Sequence, residues 1–220
     1  MIHIVTPEYA GFYQSELKEM RRLRYRVFKE RMNWEVDAVD GEERDQFDDC
    51  RPTYVLAYDR PDTLIGSWRL LPTTGPYMLR DVFSHLLEGM APPNDAATWE
   101  TSRFAVDCDP TSKAGLCTVN RVTGEMFCGL LEFCLQSGVR NMVSVYDVRI
   151  ARLLNRLGGP LWSQPKWRSA RHRIGDTIAF AGMWDVTQEI LDEIRDRCGI
   201  QSSVLALPRG SAEYATKVAA

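Results

Sequence analysis

Trp99-Glu100-Thr101-Ser102-Arg103-Phe104-Ala105-Val106 reads as a strand that opens at Thr98. The chain immediately after this strand decides the fold. A helical pattern runs over Thr118 to Ser137, carried by Val122, Met126, Phe127, Leu130, Leu131, Phe133, Cys134 and Leu135, and Gly138 closes it as a glycine C-cap. A second strand, Met142 to Tyr146, is followed by a second helix, Ile150 to Leu157, which is stopped by Gly158-Gly159-Pro160. Strand, helix, strand, helix is the alternation of an α/β protein.

Outward from this segment the same reading holds. Ile2 to Val5 is a short opening strand, and Tyr9 to Arg31 carries Leu17, Met20, Leu23, Tyr25, Val27 and Phe28 at helical spacing, running toward Trp34. An acidic loop precedes two β-rich runs, Thr53 to Tyr58 and Leu64 to Leu71, joined as a hairpin by Asp59-Arg60-Pro61-Asp62. Met78 to Leu87 reads as a short helix, Thr177 to Val186 as a strand, and Thr187 as the cap of a last helix bearing Ile190, Leu191 and Ile194. The tail after Pro208 is expected to fray. The fold class is α/β, a mixed central sheet flanked by helices, in a single domain spanning residues 1–220 without internal repeats.

Composition narrows the function. With 220 residues, 45% hydrophobic and 26% charged, the chain can bury one substantial core. No apolar run reaches membrane-spanning length, and Met1-Ile2-His3-Ile4-Val5-Thr6-Pro7 lacks the basic start and apolar stretch of a signal peptide, so a soluble cytoplasmic protein is expected. The cysteines at 50, 108, 117, 128, 134 and 198 form no C-x-x-C pair, and His3, His85 and His172 are scattered. Neither zinc, nor a disulfide framework, nor a hydrolase triad is suggested.

Charge is unevenly placed. Asp37, Asp40, Glu42, Glu43, Asp45, Asp48 and Asp49 crowd one stretch whose one base is Arg44, while Val148 to Gly175 holds Arg149, Arg152, Arg156, Lys166, Arg168, Arg171 and Arg173 and no acid. One suits a cationic ligand, the other an acidic partner. Arg149, Arg152 and Arg156 recur at three and four residues and so share a helix face. A solvated face explains that equally well at this point, and nucleic acid is disfavoured by a pI near 5.7 and the lack of a recognition motif.

Arg24-Tyr25-Arg26-Val27-Phe28, Trp34, Asp45-Gln46-Phe47-Asp48, Arg69, Phe83, Glu100 and Arg103 are ordinary alone. In this order and spacing they resemble the signature of the autoinducer synthases, the acyl-homoserine-lactone synthases of quorum sensing. The resemblance covers most of residues 1 to 160, and the roles of Trp162, Trp167 and Trp184 stay unassigned. It implies a GNAT-like (acetyltransferase) fold and a transferase that acylates the amine of S-adenosylmethionine, then lactonises it with release of methylthioadenosine. S-adenosylmethionine is then a substrate, and no cofactor or metal is implied. The acyl donor would be acyl-acyl carrier protein, an acidic partner, or acyl-coenzyme A.

Residue by residue, the resemblance makes Glu100 the base that deprotonates the substrate amine and Arg103 its catalytic neighbour. Arg24, Phe28, Trp34, Asp45, Asp48 and Arg69 would hold S-adenosylmethionine, with the aromatic pair facing the sulfonium and adenine. Phe83, Phe104, Ala105, Val106, Ser144 and Tyr146 would meet the acyl and pantetheine arm, and Arg149, Arg152 and Arg156 the carrier protein. Bland readings compete: Glu100 in an ion pair with Arg103 or Arg69, the aromatics in the core, Asp45 and Asp48 merely solvated, and Met126, Leu130 and Leu153 as plain core rather than acyl pocket. Two other classes stand beside this one. A GNAT-like acyltransferase using acyl-coenzyme A on another amine would usually show a glycine-rich pyrophosphate loop, of which Lys113-Ala114-Gly115 is a faint hint. A non-enzymatic relative would have lost some of these polar residues, and all are present.

Overall fold

The computed structural model describes residues 1–60, 63–107, 113–157 and 163–211, with the backbone alone for 113–120 and Leu157. Pro61-Asp62, Cys108, Gly158-Gly159-Pro160 and Trp162 lie outside the described residues.

Among the described residues, ten strands and five α-helices alternate: β1 (Ile2–Val5), α1 (Gln14–Arg24), β2 (Ala38–Val39), β3 (Glu42–Glu43), β4 (Thr53–Arg60), β5 (Thr63–Pro72), α2 (Met78–Asp81), β6 (Thr98–Val106), α3 (Lys113–Gln136), β7 (Asn141–Asp147), α4 (Val148–Leu157), β8 (Trp167–Arg168), β9 (His172–Ile174), β10 (Thr177–Asp185) and α5 (Gln188–Cys198). The main sheet has the order β1-β4-β5-β6-β7-β10-β8, with β9 also on β10. β1 pairs antiparallel with β4, and β10 antiparallel with β7, β8 and β9. β6 and β7 are parallel, which requires the long crossover that α3 supplies. This is the mixed α/β sheet expected, mostly antiparallel. No helix among the described residues is long and apolar enough to cross a membrane.

The chain divides into two compact units, one of Met1–Arg69, Arg103–Gly129 and the chain from Ser203, the other of Leu70–Ser102 and Leu130–Ser202. In the first, β4 does not alternate: Thr53 to Tyr58 are all buried, because helices cover both faces. On one face Tyr54, Leu56 and Tyr58 pack with Val5, Tyr13, Leu17 and Met20. On the other, α3 comes so close that a Cβ at Gly66 would lie 2.7 Å from the Met126 sulfur and one at Gly129 2.8 Å from Ile2. Trp68 joins α3 there, edge-on to Phe104 and Phe127 at centroid distances of 4.8 and 4.9 Å.

The expected helix from Tyr9 to Arg31 is three pieces, a 3-10 turn Ala10–Tyr13, then α1, then a π-helical segment Tyr25–Arg31. The acidic loop is not structureless either. β2 and β3 form a hairpin turned by Asp40-Gly41, both with positive φ (52° and 75°), the conformation that an Asp-Gly type I′ turn demands. Met78 to Leu87 breaks into α2 and a 3-10 turn, Ser84–Leu87.

The tail is a larger correction. The Ile2 amide donates to Val204 (3.0 Å) and the Ala206 amide donates back to Ile2 (2.7 Å), so this segment adds to the free edge of β1. Past Pro208 the chain is still anchored: the Arg209 amide donates to the Tyr13 hydroxyl (2.9 Å), its guanidinium lies over the Tyr13 ring and pairs with Glu16, and Gly210 fits beneath Phe12. The frayed reading thus fails for residues 209–211, while residues 212–220 lie outside the described residues.

In the second unit, β7 and β10 pair from Asp147–Ala179 to Asn141–Asp185. Tyr146 stacks on Phe180 at 5.6 Å and meets Trp184 edge-on at 5.2 Å. Gly182 is required here, since a Cβ would lie 2.7 Å from the Trp184 ring. Asp147 ends β7 and caps α4, its Oδ1 accepting the Arg149 and Ile150 amides at 2.9 and 3.0 Å.

One buried group in the first unit gives the fold a pH dependence. His3 is buried, hydrogen-bonds the Tyr13 hydroxyl through Nδ1 at 2.9 Å and meets Tyr13 and Tyr58 edge-on. Burial, with Arg209 nearby, lowers its pKa to about 4. The unfolded chain, with a histidine pKa of about 6.5, therefore binds more protons between these values, and stability falls as pH drops through that window. Denaturant unfolding at pH 7 and pH 5 is expected to show a loss about 2 kcal/mol larger in the parent than in His3→Phe; equal losses would remove His3 as the cause.

Candidate active site

At the end of α1 the chain widens. The Met32 amide reaches back five residues to Val27 (3.0 Å) and the Trp34 amide six residues to Phe28 (2.8 Å), the widened turn that often marks a functional position. Leu23, Val27 and Phe28 pack with Ala105, and Trp34, half-buried, stacks on the buried Phe28 ring at 5.4 Å and 3°. The guanidinium of Arg103 lies over Phe28, 5.8 Å from its centroid.

Asp45 and Asp48 are three apart for a local reason. Asp45 accepts the Phe47 amide at 2.9 Å and Asp48 accepts the Asp45 amide at 3.0 Å, a reciprocal capping box around the 3-10 turn Gln46–Asp49. Their remaining oxygens meet arginines. Arg24 grips Asp48 with two nitrogens at 2.8 and 2.9 Å, and its Nε donates to Glu43. Arg69 grips Asp45 with two nitrogens at 2.5 and 3.1 Å and reaches Asp48 at 3.0 Å. Arg103 joins Glu43 at 2.9 Å and Asp45 at 2.7 Å.

The six side chains close on themselves: Arg24, Glu43, Arg103, Asp45, Arg69, Asp48 and back to Arg24. Arg24, Glu43 and Arg69 are at most 1% exposed. Burial works against every one of these charges, yet at Asp48 the adjacent Arg24 and Arg69 outweigh it and hold the carboxyl far below its ordinary range; Asp45 is lowered likewise against its burial, by Arg69 and Arg103. Burial also opposes the Arg24 charge, and Glu43 and Asp48 overcome it and raise its pKa. Tyr54 donates to Asp48 at 2.7 Å, and burial with that carboxylate beside it pushes its phenol well up. Removing one member of such a buried pairing typically costs about 3–5 kcal/mol, since the partner charge is left uncompensated.

This changes the reading of Asp45 and Asp48: neither is solvated, and both are engaged by arginines. Glu43 is the residue that sequence reasoning missed. It sits among seven acids, and the signal that separates it from Glu42 is the Asp40-Gly41 turn, which sets the hairpin register and turns Glu43 inward.

Arg103 has φ 58° within a strand, a left-handed conformation rare for a residue with a Cβ and found where the surroundings over-determine it. The β6–β7 ladder runs from Thr98–Asn141 to Thr101–Ser144, and the Ser144 hydroxyl donates to the Thr101 carbonyl at 2.9 Å.

In the second unit, Glu100 is 1% exposed. Its Oε2 accepts the Met78 amide at 2.8 Å and its Oε1 the Leu79 amide at 2.6 Å. These are the first amides of α2, which otherwise lack partners within the helix. Phe83 is half-buried and edge-on to His85 at 6.4 Å. Tyr146 lies in the aromatic group with Phe180 and Trp184, its phenol raised to about 12 by burial. In the first unit Phe104 is half-buried between Trp68 and Phe127, while Ala105 and Val106 are buried. Met126 and Leu130 are fully buried. Arg149, Arg152 and Arg156 are all exposed on α4, with Arg149 also held by Asp147.

Comparison with known proteins places this arrangement. The chain matches the autoinducer synthase family over residues 8–211. It is 38% identical over 178 residues, 81% of this chain and 82% of the relative, to an acyl-homoserine-lactone synthase of Agrobacterium fabrum. Among solved structures, the coenzyme A-dependent acyl-homoserine lactone synthase BjaI, with SAM and isopentyl-CoA, superposes with a TM-score of 0.81 at 25% identity, covering 100% of this chain and 98% of that one. At the level of fold alone, a Lactobacillus plantarum protein described as a putative N-acetyltransferase superposes with a TM-score of 0.51 at 14% identity, covering 85% and 98%, in keeping with a GNAT-like architecture. The chain belongs to the autoinducer synthase family, an acyltransferase enzyme of the acyl-homoserine-lactone synthase class.

Proposed function

We propose that this enzyme transfers an acyl group from acyl-acyl carrier protein to the amine of S-adenosylmethionine and then closes the lactone with loss of methylthioadenosine. The observation that carries this reading is the closed, charge-neutral ring that fixes Arg103, Phe28 and Trp34 in one rigid corner. A ligand with a carboxylate, an ammonium and a sulfonium meets there a guanidinium and a stacked aromatic pair, and cation–π attraction of about 0.5–2 kcal/mol favours the sulfonium against the ring faces. The ring already neutralises Asp45 and Asp48, so their part is to hold Arg69 and Arg103 in place.

The amine must lose its proton before it attacks, since an α-amino group has a pKa near about 8. Glu100 is the base in this reading. Two amides fix its carboxylate, which takes the proton directly or through one water. The nitrogen bonds to the thioester carbonyl carbon, the carbon–sulfur bond breaks, and the thiol leaves with a proton. In the second step the substrate's own carboxylate oxygen displaces the neutral thioether from the γ-carbon. That step is intramolecular and exchanges no proton, so holding the chain folded supplies most of its rate.

The carrier protein is favoured as donor by the three exposed arginines on one face of α4, which complement an acidic partner and speed encounter at low salt. Coenzyme A is the second reading, favoured by the donor named for BjaI.

Two measurements test these roles. Glu100→Gln is expected to lower kcat about 10²–10⁴-fold with S-adenosylmethionine binding retained; activity near that of the parent would exclude it as the base. With methylthioadenosine release as the readout, Arg152→Glu and Arg156→Glu are each expected to raise KM for acyl-acyl carrier protein about tenfold at unchanged kcat, more at low salt. If the parent prefers acyl-coenzyme A and these variants leave it unaffected, the carrier reading gives way.

A further inference from the structure

Asp48, a member of the charge ring, also lines a cavity of about 170 Å³ in the first unit. Its other lining residues are of two kinds. Leu17, Met20, Ala10 and Pro52 are apolar, whereas Arg21, Arg44 and Arg51 bring three guanidiniums. Pro7 and Tyr54 line it too, and beyond Asp48 and Tyr54, whose hydroxyl donates to Asp48, none of these residues belongs to the site described above.

The charge around this cavity is unevenly matched. Asp48 is satisfied within the ring by Arg24, Arg69 and the Tyr54 hydroxyl. Arg21 contacts Glu42 at 3.4 Å, a carboxylate it shares with Lys18 and with Arg22, each at 3.8 Å, Arg22 also pairing with Glu19. Arg44 pairs with Asp49. Arg51 is exposed, has no ion-pair partner among the described residues, and holds φ at 54° directly before Pro52. Arg51 is thus the one lining cation without a counter-charge among the described residues.

We propose that this cavity binds a small organic carboxylate whose apolar body has about the bulk of one aromatic ring. An engineered apolar cavity of about 150 Å³ admits benzene, so the volume suits a single ring or a short branched chain. A guanidinium pairs with a carboxylate through two parallel hydrogen bonds and also stacks on a ring face. Inorganic phosphate would satisfy the arginines but leave the apolar half without contact.

The probe is benzoate, titrated into the full-length enzyme by heteronuclear NMR, with benzamide as the neutral molecule of equal bulk. The expected result is saturable binding with shifts confined to the α1, Arg44, Arg51, Thr53 and Tyr54 amides, benzamide binding about tenfold more weakly, and a similar loss of benzoate affinity in the Arg44→Ala, Arg51→Ala double variant with lactone synthesis unchanged. Absence of saturation at tens of millimolar benzoate, equal binding of benzamide, shifts centred elsewhere, or undiminished binding by the folded double variant would each overturn the proposal.

Discussion

Three arginines and three carboxylates, alternating in a closed ring, constrain the first unit more than any other contact. Arg24 comes from α1, Glu43 from the β2–β3 hairpin, Asp45 and Asp48 from the 3-10 turn, Arg69 from β5 and Arg103 from β6. Arg24, Glu43 and Arg69 are buried and Asp45, Asp48 and Arg103 half-buried, and the penalty for taking such charges from water is recovered only when their neighbours are in position. Such a ring is all or nothing. It therefore fixes the relative placement of five chain segments, several of them too short to be stable alone, and it explains how a left-handed Arg103 is tolerated inside a strand.

The chemistry attributed to the site depends on that rigidity. The aromatic pair is fixed twice, by stacking and by the widened turn that ties the Trp34 amide to Phe28. Glu100 is held by two amides at a helix start. A frame without net charge leaves the ligand's own charges to be read by ring faces and one guanidinium.

Much of this was legible in the chain. The 3.6-residue spacing of Leu17, Met20, Leu23, Val27 and Phe28 marked α1 and its extension, and the run from Val122 to Leu135 marked α3, because amphipathic helices write their buried face directly into sequence. Arg24, Asp45, Asp48, Arg69 and Arg103 were marked by order and spacing, and the structure brings all five together. Their mode of engagement was not legible, since pairing across 19 to 60 residues leaves no local trace. Glu43 was hidden for the same reason, one acid among many until a two-residue turn sets its register. The π-helical segment, which separates Phe28 from regular helix geometry, has no periodic signature at this length.

The docked C-terminal segment has a consequence for how the protein is made. β1 precedes by about two hundred residues the backbone groups that pair with its free edge at Ile2, those of Val204 and Ala206. The first unit draws on three separated stretches of chain, whereas every residue of the second has been synthesised by position 202. During translation β1 emerges long before Val204 and Ala206, and its edge stays open to other partners until that later segment is available. Such high contact order slows folding, and unpaired strand edges are a route to misassembly. The vulnerable moment in this enzyme's life is the interval between the synthesis of β1 and that of the segment that pairs with its edge.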